Sequence, residues 1–154
     1  NLAPWQKVFF STYRYKELKA VFSEENTYLP DLNWLNPQDT ILVVTGIANP
    51  VPMVKYLKEF NAKVKVIHFN DHHDFTRDDL NFITKTFDSL SGERKFIVTT
   101  EKDAVRLINN AYFPHALRKQ IFYLPIEVEF TGDNDDDFIN ILTTKIKQGK
   151  TLIG

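Results

Sequence analysis

The residues most capable of acid–base chemistry form one short run, Asp71-His72-His73-Asp74. A carboxylate beside an imidazole can orient the ring and raise its basicity, which suits a general base or a proton shuttle. Neighbouring side chains in an extended loop tend to diverge, so we expect one of the two histidines to face a reaction. The same set could instead bind a metal ion through His and Asp. A polar loop in which Asp74 or Thr76 caps the next helix is the plainer alternative.

A second polar segment, residues 46–50 (GIANP), combines a turn residue with a helix-capping residue. Gly46 allows the chain to leave a strand in a tight turn, and Asn49 followed by Pro50 is typical of a helix start. The N-terminus of that helix could hold an anion. A strand-to-helix turn that binds nothing explains the same residues.

A third polar segment, residues 99–103 (TTEKD), also falls where an apolar run gives way to a helical pattern. It brings the Thr100 hydroxyl, the carboxylates of Glu101 and Asp103, and the Lys102 amine together. Acidic residues at a helix start complement the helix dipole. Lys102 could contact a phosphate, or it could simply pair with these carboxylates at the surface.

Apolar and β-branched runs predict the strands that position these segments. The predicted strands cover residues 7–12, 40–45, 64–69, 95–100 and 121–130. Pro125 is expected to divide the last of them, because proline cannot donate a ladder hydrogen bond. Each polar segment therefore follows the end of a predicted strand.

Apolar residues at helical spacing predict the helices between the strands. The predicted helices start at Asn49 and Pro50, at a capping box formed by Thr76 and Asp79, near residue 104, and near residue 135. This alternation predicts a three-layer α/β/α sandwich with a mostly parallel, Rossmann-like sheet. We expect one domain over residues 1–154, with a first strand and connection over residues 1–38 and the main βα repeats over residues 39–148. In such sheets ligands bind beyond the carboxyl ends of the strands, so the three polar segments should share one edge.

The composition limits the classes of function that the chain could have. The chain of 154 residues has 19 basic and 20 acidic side chains, a net charge of −1, so no basic field favours nucleic acid as a partner. It has no cysteine, which excludes disulfides and Cys-ligated metals. It has five glycines and no G-x-x-x-x-G-K-[ST] phosphate loop. We therefore expect no cofactor to bind this chain alone, and a first residue other than methionine suggests a fragment.

Three strings, taken in order, resemble the C-terminal part of the tetraacyldisaccharide 4'-kinase family. They are residues 45–50 (TGIANP), 69–75 (FNDHHDF) and 99–105 (TTEKDAV), with flanks at residues 8–11 (VFFS), Tyr15 and 123–126 (YLPI). The resemblance implies transfer of the γ-phosphate of ATP to the 4'-hydroxyl of the lipid A disaccharide 1-phosphate precursor. It also implies work at the cytoplasmic face of the inner membrane of Gram-negative bacteria, as a peripheral protein.

The same resemblance implies that two domains contribute different parts of the active site. The phosphate loop, the magnesium ligands and a catalytic aspartate belong to an N-terminal domain, which would be the partner of this chain. His72, beside Asp71, matches the histidine that this part lends to the active site, while Gly46, Asn49, His73 and residues 100–103 would line the edge toward substrate or partner domain. Domain closure could exclude water and bring the histidine to a carboxylate. A metal-dependent phosphoesterase using residues 71–74, and an interaction module without catalysis, stay open as alternatives.

Overall fold

The computed structural model describes residues 10–131. The chain divides into two compact units: residues 15–125 form one, and residues 10–14 and 126–131 belong to the other. The strands are β1 (Phe10–Tyr15), β2 (Lys19–Ala20), β3 (Thr40–Thr45), β4 (Lys63–His68), β5 (Lys95–Thr100), β6 (Ile121–Leu124) and β7 (Ile126–Thr131). The α-helices are α1 (Val51–Leu57), α2 (Arg77–Ser89) and α3 (Glu101–Ile108), with 3₁₀ helices at Leu32–Trp34 and His115–Gln120.

The sheet of the larger unit has five strands in the order β2-β6-β5-β3-β4. Strands β4, β3, β5 and β6 pair in parallel, and β2 pairs with β6 in the antiparallel sense. Every residue of β3, the TILVVT strand, is buried, as expected for a parallel strand covered on both faces. Strands β1 and β7 form a separate two-stranded sheet.

Two apolar clusters cover the two faces of the five-stranded sheet. On one face α2 and α3 pack against Leu42 and Val44 of β3. On the other face α1 packs against Ile41 and Val43 of the same strand. The predicted three-layer α/β/α sandwich with a mostly parallel sheet is therefore confirmed. The single-domain boundary at residues 1–154 stays a prediction, because much of the smaller unit lies outside the described residues.

The boundaries of the elements differ from the predictions in a few places. Strands β3 and β5 have the predicted limits, β4 begins one residue early, and Pro125 separates β6 from β7. Helix α1 begins at Val51 rather than Pro50, and Asn49 does not occupy the cap position. Its Oδ1 instead accepts a hydrogen bond of 3.2 Å from the Val51 N–H. The helix expected from residue 135 lies outside the described residues.

A buried carboxylate joins β3 to β5 at the edge of the sheet opposite the polar segments. Asp39 is 0 % exposed and accepts hydrogen bonds of 3.0 and 2.6 Å from Nε and an Nη of Arg94. It also accepts one of 2.8 Å from the Asn36 N–H. The Arg94 hydrogen bonds hold the pKa of the Asp39 carboxyl below its ordinary value, against the opposing effect of burial. The charged form of Asp39 therefore stabilises the fold.

We predict that Asp39→Asn lowers the free energy of unfolding by about 2 kcal/mol at neutral pH, because charged hydrogen bonds are lost. Since folding lowers this pKa, the stabilisation is present above pH 3.8, the ordinary value, and disappears as pH falls through the lowered pKa. Urea melts between roughly pH 7 and pH 2 should show a shallower acid loss for the variant. Asp88→Asn, at an exposed position of α2, is the control, and equal acid profiles for wild type and Asp39→Asn would refute the assignment.

Candidate functional site

The three polar segments meet at the carboxyl edge of the parallel sheet. The register places the last residue of β3, Thr45, beside His68 of β4, while Val44 pairs with Thr99 of β5. Residues 46–50 and 69–75 follow these strand ends directly, and residues 99–103 span the end of β5 and the start of α3. The prediction that Gly46, His72 and Thr100 share one edge is therefore confirmed.

Asp103 connects residues 46–50 to residues 99–103. Its carboxylate is fully buried, and its Oδ2 accepts hydrogen bonds of 2.8 Å from the Gly46 N–H and of 2.8 Å from the Thr100 hydroxyl. Thr100 also caps α3, because its Oγ1 accepts a hydrogen bond of 3.1 Å from the Asp103 N–H. A Cβ on Gly46 would lie 3.2 Å from Asp103 Oδ1 and 3.3 Å from the His73 Cβ. The glycine is thus explained by this close approach.

His73 is held inside the loop of residues 69–75. Its Nε2 lies 2.7 Å from Asp79 Oδ2, and its ring stacks on Phe69 with centroids 4.6 Å apart. The same Asp79 oxygen accepts a hydrogen bond of 2.8 Å from the Thr76 N–H, so the predicted capping box at the start of α2 is confirmed. Burial raises the pKa of the Asp79 carboxyl, but hydrogen bonds from Thr76 and His73 outweigh it and leave this pKa below its ordinary value.

His72 points away from its neighbour, as expected for adjacent residues. Its side chain is 69 % exposed, and its Nε2 lies 3.5 Å from Asp71 Oδ2. Its Nδ1 lies 3.3 Å from an Nη atom of Arg106, which connects the loop of residues 69–75 to α3. Among the described residues other than glycine, His72 alone has a positive φ, 57°. This left-handed conformation costs on the order of 1 kcal/mol and is found disproportionately at functional sites.

The remaining predicted edge residues are solvent-exposed. Asn49, Glu101 and Lys102 all present exposed side chains, so they are accessible to a substrate or to another protein surface. Helix α3 starts at Glu101 rather than near residue 104. Its first turn therefore projects two of these exposed side chains at the edge.

The donor set of the site does not suit a metal ion. Within residues 10–131 no three His, Cys, Asp or Glu side chains come together as possible ligands. His72 and His73 have different partners, and Asp103 is already bound by protein donors. The described residues therefore give the metal-dependent phosphoesterase hypothesis no support. None of the helices within residues 10–131 is long and apolar enough to span a membrane.

Two features of the site were not predicted. Arg106 lies one turn after Asp103 on α3 and reaches both Asp103 and His72. A groove of about 540 Å³ runs along another side of the same helix, lined by Val105 and Ile108 among others. The i, i+3 spacing of Asp103 and Arg106 could have indicated their ion pair. The groove depends on β2, a strand of two residues too short to read from the sequence.

The chain has a Rossmann-like sheet with a constrained histidine loop at its carboxyl edge. These features are typical of α/β domains that bind their ligands at the carboxyl ends of the strands. The model of the family LpxK, tetraacyldisaccharide-1-P 4'-kinase, matches residues 6–147. The chain belongs to this family, so the predicted resemblance is confirmed. These kinases act in lipid A biosynthesis.

Curated relatives carry the same name. The chain is 40% identical over 144 residues to the tetraacyldisaccharide 4'-kinase of Bacteroides thetaiotaomicron, a match covering 90% of this chain and 38% of the relative. It is 39% identical over 139 residues to the same kinase of Bacteroides fragilis, covering 90% and 37%. The chain thus spans well under half the length of these relatives.

A solved structure shows the same fold. LpxK from Aquifex aeolicus, crystallised in complex with ATP, superimposes with a TM-score of 0.51 at 16% identity. The match covers 95% of this chain and 38% of the Aquifex protein. At this identity the likeness concerns the fold alone.

We predict that the two adjacent histidines differ in their contribution to stability. His73→Ala should lower the free energy of unfolding by about 1–3 kcal/mol, because it removes a charge-assisted hydrogen bond and a ring stack. His72→Ala should change it by less than about 1 kcal/mol, since an exposed side chain contributes little packing. Thermal and urea melts of both variants, with exposed His115→Ala as control, measure the difference. Equal losses at the two positions would contradict it.

Proposed function

We propose that this chain forms the C-terminal part of a kinase that transfers the γ-phosphate of ATP to the 4'-hydroxyl of the lipid A disaccharide 1-phosphate precursor. The observation that carries the proposal is the family match across residues 6–147. In this proposal His72, assisted by Asp71, is the catalytic contribution of the chain. Gly46, Asn49, His73 and residues 100–103 shape the edge that faces the substrate and the N-terminal domain.

Within residues 10–131 we identify no arrangement of side chains that would hold ATP or magnesium. The sequence contains no phosphate loop, and the described residues offer no cluster of metal ligands. In the proposal, nucleotide and magnesium bind to the remainder of the full-length protein. The Aquifex relative, which was crystallised with ATP, supports nucleotide binding within the family.

Phosphoryl transfer requires mainly positioning and stabilisation of charge. His72 suits such a task because its ring is exposed at the strand ends while its backbone is constrained at φ 57°. A facing domain that closes on this edge would exclude water and bring a carboxylate or the acceptor hydroxyl to the imidazole. His73 would support this geometry from behind, through Asp79 and Phe69.

The proposed function also implies particular binding partners and a location in the cell. The N-terminal domain and the lipid A precursor are the proposed partners, and no nucleic acid is expected at a net charge of −1. A lipid substrate implies a peripheral position at the cytoplasmic face of the bacterial inner membrane. Sedimentation of the full-length protein with inner-membrane vesicles would test this location.

We predict that His72→Ala in the full-length protein lowers kcat at least about a hundredfold, the usual cost of losing a side chain that assists proton transfer or holds a reacting group. The melting temperature should stay close to that of the wild type. His73→Ala should reduce kcat less, because its ring is turned into the loop. Steady-state kinetics with ATP and the lipid acceptor measure both variants. Near-normal turnover of His72→Ala would remove this residue from the mechanism.

We predict that the 154-residue chain alone binds ATP with at best millimolar affinity and has no kinase activity. The backbone amides and lysine of a phosphate loop normally hold the phosphates, and this sequence has neither arrangement. Isothermal titration with ATP and magnesium measures the affinity, and the full-length protein is the positive control. A micromolar dissociation constant for the chain alone would overturn the prediction.

A further inference from the structure

We propose that Arg106 is a positioning residue that fixes which ring nitrogen of His72 carries the proton. The inference rests on the proposed function only where it concerns turnover. Its structural basis is the contact of 3.3 Å between an Arg106 Nη and His72 Nδ1. Arg106 lies on α3 and His72 on the loop after β4, so the contact joins the helix that follows β5 to the loop that follows β4.

The chemistry of arginine determines the direction of this contact. A guanidinium has only N–H donors and does not lose its charge in proteins. In this hydrogen bond His72 Nδ1 must therefore offer its lone pair. The neutral ring then carries its proton on Nε2.

Asp71 favours the same arrangement from the other side of the ring. Its Oδ2 lies 3.5 Å from His72 Nε2, and an ionised carboxylate can only accept a hydrogen bond. The two neighbours of the ring thus agree on the tautomer with Nε2–H. The Asp71 contact is long and solvent-exposed, so a closer acceptor can displace it.

Arg106 can act in this way because it is held in place. Its other Nη lies 3.4 Å from Asp103 Oδ1, and the Asp103 carboxylate is 0 % exposed. Asp103 is fixed in turn by the Gly46 N–H and the Thr100 hydroxyl. The two Nη groups of the guanidinium therefore contact the buried Asp103 carboxylate and the exposed His72 ring.

This arrangement sharpens the role of His72. A ring with Nε2–H donates a hydrogen bond outward and cannot accept a proton at the same atom. His72 would hold a carboxylate or a phosphoryl oxygen by donation, rather than act as a general base through Nε2. Arg106 does not touch the reacting atoms and acts through His72.

The first test is spectroscopic and needs no enzymatic activity. In the full-length protein labelled with ¹⁵N in its histidine rings, the His72 signals, assigned by their loss in His72→Gln, should show Nε2 protonated and Nδ1 accepting. Arg106→Met should shift both signals toward the averaged values of a free imidazole. Arg106→Lys, which retains a cation for Asp103 and so protects folding, should shift the signals in the same way. A single ammonium group cannot reproduce the two N–H donors with which the guanidinium contacts Asp103 and His72.

The matched control is Arg118→Met. Arg118 also pairs with a carboxylate, that of Glu25 at 3.0 Å, but neither residue belongs to the site. This variant should leave the His72 signals unchanged. If the Arg106 variants shift His72 no more than Arg118→Met does, the inference is overturned, whatever the protein catalyses.

The second test is a double-variant cycle in kcat. Arg106→Met should lower kcat roughly tenfold or more through misplacement of the ring, with the KM for ATP little changed. In the His72→Ala background the same change should have no further effect, within about twofold. A full additional loss there would show that Arg106 acts independently of His72 and would overturn the inference. If His72→Ala keeps wild-type turnover while the ¹⁵N signals behave as expected, the proposed function of His72 fails and the positioning by Arg106 stands.

Discussion

The carboxylate of Asp103 is the group on which the geometry of the carboxyl edge depends. An isolated carboxylate buried this completely would cost several kcal/mol, so the fold must supply it with partners. The turn after β3 provides a backbone N–H, the cap of α3 provides a hydroxyl, and α3 itself provides a guanidinium. Satisfying one buried charge therefore fixes the turn, the helix start and Arg106 relative to each other.

This carboxylate also explains why the candidate site is displaced from the usual crevice. In open α/β sheets, ligands bind where successive helices switch from one face to the other. Here that point lies between β3, which is followed by α1 on one face, and β5, which is followed by α3 on the opposite face. At that point the Gly46 N–H donates a hydrogen bond of 2.8 Å to Asp103, and a Cβ on Gly46 would lie 3.2 Å from the same carboxylate. The exposed imidazole of His72 lies instead on the neighbouring loop after β4.

Much of the fold could be predicted from the sequence because its signals are local. The limits of β3 and β5 follow from apolar β-branched runs, and the start of α2 follows from Thr76 and Asp79. The start of α3 was placed too late, because its polar first turn shows no apolar period although Asp103 is buried. The two-residue strand β2 gives no readable pattern and forms through its pairing with β6.

The position of the candidate site could be predicted from the sequence, but the contacts that its residues make could not. The predicted parallel arrangement of the strands placed the three polar segments at one edge, and side-chain alternation predicted that His72 and His73 diverge. The identity of their partners depends on long-range contacts: Arg106 is 34 residues from His72 in the chain. For the same reason Asp103 was interpreted as an edge residue rather than as a buried anchor.

Asp79 accepts hydrogen bonds from two places in the chain, and this affects how the histidine loop can move. Its Oδ2 accepts hydrogen bonds from both the Thr76 N–H and the His73 ring, so displacing the histidine loop removes one of the hydrogen bonds that hold this carboxylate and thereby loosens the first turn of α2. Displacement of the loop then becomes a small cooperative unfolding event rather than the picosecond-to-nanosecond fluctuation of a free surface segment. Rearrangements of this edge should consequently be slow, in the microsecond-to-second range. Amide protons in the first turn of α2 should exchange with solvent in step with the loop.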